Sequence, residues 1–401
     1  MTGLLFGPRD EPPADLLAEL AAGAVRSAAA ALPVPVFTGE FWTSAQRAAA
    51  RLHEISYRAC FKPALPRYFI SRLTQPGARV YDPFLGRGTT ALEAALLGRK
   101  AAGCDVNPLS RVLCAPRFAP PDPAAIAARL AQIDFAARVE LPEELLTFYH
   151  ADTLQELCAL RAWLLDGHAL DATDRWIQMV ATNRLTGHSR GFFSVYTLPP
   201  NQATSVQAQR RINARRQQVP PRRHVPQLIL EKSGDLLRGL TPRERSNLAA
   251  ADPWLLTAGA EHTPELGDAS IDLVVTSPPF LDIVQYQADN WLRCWFCGID
   301  GTAVAITKSR SVTVWQEAMR KVFVELHRVV RPGGHVAFEV GEVRRAQVRL
   351  EEAVVPAAAS AGFTPLCVMV NSQHFTKTAH CWGVDNNTGG TNSNRIVVLR
   401  R

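Results

Sequence analysis

A short tetrad of polar, proline and aromatic residues follows a strand-like apolar run in the C-terminal half of the chain. The run covers residues 270–275, and the tetrad is Ser277, Pro278, Pro279 and Phe280. Successive prolines fix φ near about −65° and donate no N–H, so the neighbouring carbonyls are held without a competing donor. A hydroxyl and a carbonyl that accept hydrogen bonds from an exocyclic amino group would turn its lone pair towards an electrophile. The tetrad therefore predicts chemistry on a flipped-out nucleobase stacked on the ring, and the alternative is a proline-ended strand with a core phenylalanine.

A glycine-containing turn earlier in the chain has the form expected for a nucleoside ligand. A strand-like run ends at Asp82, and Gly86 and Gly88 allow close backbone approach to a ligand before a helix predicted over 91–97. Asp105 ends the next strand-like run, 19 residues after Gly86. At this spacing an acid at a strand end accepts hydrogen bonds from ribose hydroxyls. A tight turn alone is common in α/β enzymes, so the prediction depends on its combination with the tetrad.

The two motifs together resemble those of the S-adenosylmethionine-dependent DNA amino-methyltransferases. Residues 82–90 match the cofactor motif of that family, and residues 276–280 match its catalytic motif. The resemblance extends to the upstream segment 53–70 and to an Arg-Pro-Gly-Gly turn at 331–334, before the fifth strand. It implies S-adenosylmethionine as the cofactor and a set of binding residues at the ends of the first three strands: Asp82, Phe84, Gly86, Gly88, Thr89, Thr90, Asp105, Asn107 and Glu261.

One stretch departs from the family pattern. The third strand of family members often carries Gly-Asp-Ala, whose acid contacts the cofactor adenine, but residues 258–261 read Ala-Gly-Ala-Glu. Either Glu261 substitutes for that acid or backbone groups hold the adenine, and Asp152 is a rival for the role. At the other end of the cofactor, the resemblance implies that Thr89 or Thr90 binds the carboxylate of its methionine part.

The first tetrad residue bears on which base is methylated. In the resembled family a serine there usually accompanies cytosine N4 methylation, and an aspartate accompanies adenine N6 methylation. Ser277 therefore implies N4-methylcytosine, with adenine N6 as the alternative because the two amino groups have similar geometry. Methylation of cytosine C5 needs a nucleophilic cysteine, which follows a proline in the related enzymes, and none of the eight cysteines here does so.

A strongly basic segment lies between the two motifs. Residues 175–230 contain nine arginines and no lysine, aspartate or glutamate, although 37 acidic residues in 401 would place about five in such a window. This pattern predicts contacts with DNA phosphates and some reading of bases. The candidate DNA-binding residues are Arg190, Phe192, Phe193, Tyr196, Arg210, Arg211, Arg215, Arg216, Arg222 and Arg223. The alternatives are a solvated arginine face and, for the aromatics, the small core of an inserted subdomain.

The order of motifs resembles the family arrangement in which a recognition domain is inserted between the two halves of the catalytic sheet, and this resemblance implies an α/β fold: a Rossmann-like methyltransferase with a mostly parallel seven-stranded sheet and an inserted DNA-recognition domain. We expect an N-terminal helical arm over 1–50, the first half of the catalytic domain over 51–120, an inserted target-recognition region over 121–250 and the second half of the catalytic domain over 251–401. In the last part, apolar spacing predicts helices over 314–330 and 350–361 and strands over 336–340, 366–370 and 395–399.

Composition narrows the class of protein further. A hydrophobic fraction of 47% with 20% charged residues is typical of a soluble globular protein, and the alanine-rich stretch 18–32 predicts no signal peptide or anchor. We expect a cytoplasmic enzyme with reduced cysteines and no metal, since the Cys-x-x-Cys at 294–297 lacks two further ligands nearby. Expected partners are double-stranded DNA and a cognate restriction endonuclease. The alternatives are an RNA amino-methyltransferase and a non-enzymatic DNA-binding protein.

Overall fold

The computed structural model describes most of the chain with side chains. The described residues are 15–27, 32–42, 49–57, 61–197, 203–279, 286–304, 311–340, 342–343, 348–372 and 393–401. Within them, the helices are α1 Leu16–Gly23, α2 Ala64–Leu73, α3 Thr89–Leu96, α4 Leu109–Cys114, α5 Pro123–Gln132, α6 Ala151–Leu165, α7 Ala172–Thr182, α8 Val206–Arg216, α9 Val225–Leu237, α10 Pro242–Ala249, α11 Tyr286–Cys297, α12 Val312–Val329 and α13 Glu351–Ser360. The strands are β1 Val25–Ser27, β2 Val36–Gly39, β3 Arg79–Asp82, β4 Lys100–Asp105, β5 Trp254–Thr257, β6 Ile271–Thr276, β7 Val330–Val340, β8 Glu342–Val343, β9 Val348–Arg349, β10 Thr364–Ser372 and β11 Ser393–Arg400.

A nine-stranded sheet forms the centre of the fold, in the order β1-β2-β10-β11-β7-β6-β3-β4-β5. From β7 to β5 all neighbours are parallel, whereas β11 runs antiparallel to both β7 and β10. Parallel strands end at one edge of a sheet, so the C-terminal ends of β3, β4, β5 and β6 meet there. The prediction of a Rossmann-like α/β fold is confirmed, and the sheet is mixed: the strands from β7 to β5 are parallel, whereas the pairs β1–β2, β10–β11 and β11–β7 are antiparallel.

The sheet has two strands more than the seven predicted. They come from the N-terminal segment expected to be a helical arm, which contains the helix α1 followed by β1 and β2. Strand β2 pairs in parallel with β10, and the side chain of Asn371 accepts hydrogen bonds from the backbone N–H groups of Phe41 (2.8 Å) and Trp42 (3.2 Å). These contacts attach the chain after β2 to the sheet edge. The alanine-rich composition of the segment concealed its short strands.

Helices cover both faces of the sheet. On one face α12 and α13 pack against β7, β10 and β11, with Phe323 and Phe338 in contact at a ring-centroid distance of 4.8 Å. On the other face α1 and α2 cover the same sheet with buried side chains such as Leu20 and Phe69. Both faces of the strands are therefore removed from water, as is usual for parallel sheets.

The segment 121–250, expected as an inserted recognition domain, is helical and shares a core with the catalytic half. One hydrophobic cluster contains Leu92 of α3, Trp176 of α7, Ile229 of α9 and Phe296 of α11. Trp176 is fully buried and its indole N–H donates to the Ser233 hydroxyl at 3.0 Å. The insertion is therefore packed continuously onto the sheet domain in the described residues.

The predicted Arg-Pro-Gly-Gly turn at 331–334 lies inside β7 and does not precede it. The pairing of β7 with β6 shifts register at this point, and Gly333 has φ of +76°. A glycine tolerates this left-handed conformation, so the strand can continue through the irregularity. Among the helices in the described part of the chain, none is both long and apolar enough to cross a membrane.

Candidate active site

Asp105, at the end of β4, fixes the turn between β3 and α3 through backbone hydrogen bonds. The Asp105 carboxylate accepts hydrogen bonds from the backbone N–H groups of Gly86 (2.8 Å) and Asn107 (2.9 Å). Burial raises the pKa of Asp105, while these two hydrogen bonds lower it. The carboxylate thus shapes the turn and still has lone pairs for a ligand, because each oxygen can accept more than one hydrogen bond.

Position 88 requires a glycine for two reasons, its backbone conformation and the lack of space for a side chain. Its φ is +77°, and a Cβ built on it would lie 2.2 Å from the Sγ of Cys114. No side chain fits there without displacing helix α4. The glycine therefore allows α3 to begin close against α4, which brings the turn against the end of β4.

Asp82, the last residue of β3, connects the two sequence motifs. It is 1% exposed, and its carboxylate accepts hydrogen bonds from the Thr276 hydroxyl at 2.6 Å and from the Phe84 backbone N–H at 3.1 Å. Thr276 immediately precedes the tetrad. Asp82 does not line the cavity described below, so its place is beneath the site, where it fixes the ends of β3 and β6 relative to each other.

Burial raises the pKa of Asp82 to about 7, and the hydrogen bonds from Thr276 and Phe84 oppose that shift. The folded protein therefore retains a proton that an unfolded aspartate loses near 3.8, so stability falls as pH rises from about 4 to about 7. We expect Asp82→Asn to reduce this fall by up to about 1.4 kcal/mol per pH unit, because the amide does not ionise. Urea unfolding of both proteins at pH 5, 6 and 7 measures the difference. Parallel stability curves would contradict the assignment.

The two threonines proposed to bind the cofactor carboxylate are buried, and their hydroxyls form hydrogen bonds within the protein. Thr89 is 3% exposed and its hydroxyl accepts from Arg87 Nε at 3.2 Å. Thr90 is fully buried and its hydroxyl donates to the Val275 carbonyl at 2.9 Å. Neither lines the cavity, so the prediction that one of these side chains holds the carboxylate is not supported by the geometry. Thr90 joins α3 to β6, a second connection between the motifs.

The upstream segment predicted to accompany the cofactor is anchored to the same turn. Arg87 donates to the backbone carbonyls of Ile55 (2.8 Å) and His53 (3.3 Å), and His53 Nε2 lies 2.8 Å from the buried Glu93 carboxylate of α3. The ring of Tyr57 then lines the cavity beside Gly86. The upstream segment thus closes one side of the site.

A continuous cavity of about 590 Å³ joins the cofactor turn to the catalytic tetrad. This volume lies within the usual range for small-ligand sites. Predicted residues that line it are Phe84, Gly86, Asp105, Asn107, Glu261, Ser277 and Pro279. Helix α12 supplies a wall that the sequence analysis did not foresee, with Thr313, Val314, Glu317, Ala318 and Lys321. The end of β4 and the start of the tetrad therefore face one shared space.

Glu261, which follows β5, lies where a contact with the cofactor adenine would require it. Glu261 lines the cavity together with Ala258 and Ala260, so it can reach a ligand held between β4 and β5. Its rival, Asp152, lies in the first turn of α6, where it is exposed and 3.3 Å from Arg222 Nε. Asp152 does not line the cavity. The geometry favours Glu261.

The tetrad is held by contacts on two sides. The Trp315 indole N–H of α12 donates to the Pro279 carbonyl at 2.9 Å, and Pro278 is buried. On the other side, the pairing of Thr276 with Phe338 makes Glu339 of β7 the neighbour of Ser277, and an interaction with Ser277 lowers the pKa of the Glu339 carboxyl. Phe280, the predicted stacking residue, lies outside the described residues. Sequence reasoning missed Trp315 and Glu339, although a lone acid within the apolar run 336–340 was a visible signal.

The predicted DNA-binding residues divide into exposed and buried groups. The exposed arginines are Arg190, Arg210, Arg211, Arg215, Arg216 and Arg222, while Arg223 is half-buried. Four of them, which we call the α8 arginines, are Arg210, Arg211, Arg215 and Arg216. Arg216 stacks on the half-exposed ring of Tyr196, with its guanidinium carbon 3.9 Å from the ring centroid.

Two predicted contact residues are corrected by the structure. Phe192 is 5% exposed, with Arg184 over its ring at 4.0 Å, and Phe193 is fully buried in the core of the insertion. Neither ring can reach a ligand on the surface. The alternative considered above, that these aromatics form a core, is correct for both phenylalanines.

The start of the basic helix lies against the catalytic half. Just before α8, the Ala203 backbone N–H donates to the Asp289 carbonyl at 2.9 Å, and the Trp291 indole donates to the Thr204 carbonyl at 3.1 Å. Asp289 and Trp291 belong to α11, which begins six residues after Phe280. In the described stretches, no cluster of three or more His, Cys, Asp or Glu side chains suits a metal ion.

Comparison with known proteins gives partial matches. Residues 30–109 match a family model described as DNA methylase. Over 97 residues, the chain is 29% identical to the type II methyltransferase M.MvaI of Kocuria varians, a region that covers 23% of this chain and 20% of that enzyme. The similarity thus spans about one fifth of the relative's length. Neither match distinguishes cytosine N4 from adenine N6 methylation.

Two solved structures also match the chain at low sequence identity. The rRNA methyltransferase AviRa from Streptomyces viridochromogenes has a TM-score of 0.35 and 14% identity, over 88% of this chain and 90% of that chain. TrmN from Thermus thermophilus has a TM-score of 0.32 and 14% identity, over 88% of this chain and 51% of that chain.

Proposed function

We propose that this protein transfers a methyl group from S-adenosylmethionine to the N4 amino group of a flipped-out cytosine in duplex DNA. The observation that carries the proposal is the continuous cavity that has Asp105 and Glu261 at one end and Ser277 at the other. A cofactor at the strand ends and a base beside the tetrad would share this space. The enzyme would belong to a cytoplasmic restriction-modification system with a cognate endonuclease.

The cavity residues fit S-adenosylmethionine by their chemistry. Asp105 offers carboxylate oxygens to ribose hydroxyls, Glu261 offers an acceptor to the adenine amino group, and Phe84 and Val106 provide apolar walls. When bound, the cofactor supplies a sulfonium-activated methyl group, so no covalent nucleophile is needed in the protein.

At the other end, the tetrad residues would orient the base. The Ser277 oxygen accepts one hydrogen bond from the amino group, and the Pro278 carbonyl accepts another. The nitrogen lone pair, otherwise delocalised into the ring, is then directed away from these acceptors and towards the methyl group. Trp315 keeps the tetrad in place through Pro279.

The α8 arginines are proposed to follow the DNA backbone. They are exposed, and the chain just before their helix is bonded to α11, which follows the tetrad closely. Replacing all four with alanine should flatten the plot of log K against log salt by up to about 0.9 for each phosphate that the variant no longer neutralises. Fluorescence anisotropy with a short duplex at several salt concentrations measures the slope.

A matched control variant removes four positive charges from outside the basic segment. Four of the exposed arginines outside the basic segment serve for this control: Arg238, Arg243, Arg331 and Arg349. Their combined replacement should leave the slope near that of the unmodified protein. Equal slopes for both quadruple variants would move the proposed DNA path away from α8.

Adenine N6 methylation remains the second candidate, because the cavity itself does not select one amino group. RNA is the third, and it is tested by methyl transfer from labelled S-adenosylmethionine to duplex DNA and to structured RNA in competition. Preferential labelling of DNA supports the proposal, and preferential labelling of RNA contradicts it. A non-enzymatic DNA-binding protein would label neither.

A further inference from the structure

A short exposed turn follows α7 in the basic segment. We call it the α7 tip, residues 188–191, which read His-Ser-Arg-Gly. The first three of these residues are exposed, whereas the chain on both sides of the tip, 185–187 and 192–195, is buried. The tip therefore projects from a packed base. None of the roles proposed so far is specific to it.

Hydrogen bonds close the chain at the base of the α7 tip. The Phe193 backbone N–H donates to the Arg184 carbonyl at 2.9 Å. The Gly187 carbonyl accepts from the Thr197 backbone N–H at 2.9 Å, and the Gly187 N–H donates to the Ser194 hydroxyl at 3.3 Å. The two ends of the turn are therefore held together, which gives the tip a defined conformation.

Phe192 is 5% exposed, too deeply buried to reach DNA, and it packs against the base of the α7 tip. A Cβ built on Gly187 would lie 2.4 Å from the Phe192 ring, so a side chain at this position would displace the buried ring. The guanidinium carbon of Arg184 lies over the same ring, 4.0 Å from its centroid. A tip that is already ordered by packing and hydrogen bonds loses less conformational entropy on binding than a flexible loop does.

The chain leading into the α7 tip is joined to the wall of the cavity. The side-chain oxygen of Asn183, just after α7, accepts from the Ser56 backbone N–H at 3.1 Å, and the Ser56 carbonyl accepts from Arg293 of α11 at 3.1 Å. Tyr57, next to Ser56, lines the cavity. Arg190 follows Asn183 by seven residues, at most about 25 Å of extended chain. This length is about seven base pairs of a duplex at about 3.4 Å each, so the tip can contact base pairs that neighbour the target base.

Arg190 has the chemistry needed to recognise a guanine. It is exposed, and within the part of the chain that the structure describes its guanidinium forms no ion pair or hydrogen bond. Its N–H donors are therefore available to a ligand. In the major groove, a guanidinium donates two parallel hydrogen bonds to guanine N7 and O6. An ordered tip can hold this geometry, whereas arginines along an exposed helix face can follow phosphates by charge alone.

We propose, as an extension of the proposed function, that Arg190 recognises a guanine edge in the major groove near the methylated base, while the α8 arginines contact phosphates. The α7 tip enters the groove, and Arg190 donates to N7 and O6 of one guanine. Arg190 takes no part in methyl transfer itself. It determines which sequence is methylated.

The test methylates a duplex library with randomised positions and maps the methylated bases by single-molecule sequencing, for wild type, Arg190→Lys and Arg190→Ala. We expect the wild type to require a guanine at one fixed position, and both variants to lose about 10- to 100-fold of discrimination at that position. Lysine retains the charge but lacks the planar fork that makes two parallel hydrogen bonds. The Arg190→Lys variant should therefore keep the wild-type slope of log K against log salt.

Arg175→Lys is the matched control. Arg175 is an exposed arginine of the same basic segment, near the start of α7 and at the opposite end of that helix from Asn183. This variant should methylate the same sequence as the wild type, with the same discrimination at every position. Thermal unfolding establishes that each variant is folded.

The possible outcomes are distinct. If Arg190→Lys kept the wild-type discrimination at every position, Arg190 would contact a phosphate at most, and the inference would be wrong while the proposed function stood. Methylation of the library by the wild type without any sequence preference would have the same meaning. A wild-type protein that methylates no DNA would overturn the proposed function and this inference with it.

Discussion

Replacement of Ser277 with alanine is expected to lower the single-turnover rate of methyl transfer by about 10²-fold, the cost of losing one well-placed hydrogen bond in an enclosed site. The same change should leave the affinity for S-adenosylmethionine almost unaltered. The reason is geometric: Ser277 lines the cavity at the tetrad end, whereas the predicted cofactor contacts lie at Asp105 and Glu261. Rapid-quench kinetics and calorimetric titration measure the two quantities separately.

Ser270→Ala is the matched control for this prediction. Ser270 lies at the other end of the same strand, and its hydroxyl donates to the Gly267 carbonyl at 2.6 Å on the surface. The control should retain both rate and affinity. If Ser277→Ala abolished cofactor binding as well as rate, the serine would be part of the cofactor site and its proposed role would be wrong.

Replacement of Asp105 with alanine should have the opposite pattern, with cofactor affinity reduced by about 10²-fold. Two hydrogen bonds from ribose hydroxyls to a carboxylate are worth about 1.5 kcal/mol each at the low end of the measured range. The variant also lacks the acceptor that holds Gly86 and Asn107 in place, so the turn would relax. Calorimetric titration at protein concentrations comparable to the dissociation constant measures the affinity.

Asp152→Ala serves as the control, since it removes the rival acid. Its side chain is exposed on α6 and pairs with Arg222, away from the cavity lining. We expect cofactor affinity to be unchanged in this variant. An affinity loss in Asp152→Ala without one in Asp105→Ala would reverse the two assignments.

Much of the fold was predictable because its signals are local. The expected helices over 314–330 and 350–361 correspond to α12, Val312–Val329, and α13, Glu351–Ser360. The helix after the glycine turn also matches, since α3 ends at Leu96 and Gly98 follows with φ of +75°. Apolar periodicity and glycine placement determine such features within a few residues of sequence.

Other features depended on contacts between distant residues. Strand β2 pairs with β10, more than 300 positions away, and no local pattern encodes that partner, while β1 joins the sheet by pairing with β2. Likewise, Phe192 and Phe193 lie in a segment whose charge favours a surface, yet both side chains are buried, Phe193 in the cluster that includes residues of α7 and α9. A charge count describes a segment, whereas burial is a property of individual side chains.

The candidate site likewise combines residues that local sequence predicts with residues whose placement depends on contacts between distant parts of the chain. The sequence places Asp105, Glu261 and Ser277 at strand ends, and the parallel sheet brings those ends together around one cavity. Thr89 and Thr90 follow the glycine turn just as closely in sequence, yet their hydroxyls point into the interior. The contact of Trp315 with Pro279 and the position of Glu339 beside Ser277 depend on helix packing and strand register, which spacing along the chain does not reveal.

The identity of the methylated base distinguishes the proposed function from its alternatives. The most direct measurement incubates the purified protein with unmethylated duplex DNA and S-adenosylmethionine, digests the DNA to nucleosides and identifies the new product by mass spectrometry, with Ser277→Ala as the slow comparison sampled at the same early time points. The proposed function predicts N4-methyldeoxycytidine in the wild-type reaction, at a level greatly reduced in the variant. N6-methyldeoxyadenosine as the product, or no methylated nucleoside from DNA at all, would contradict it.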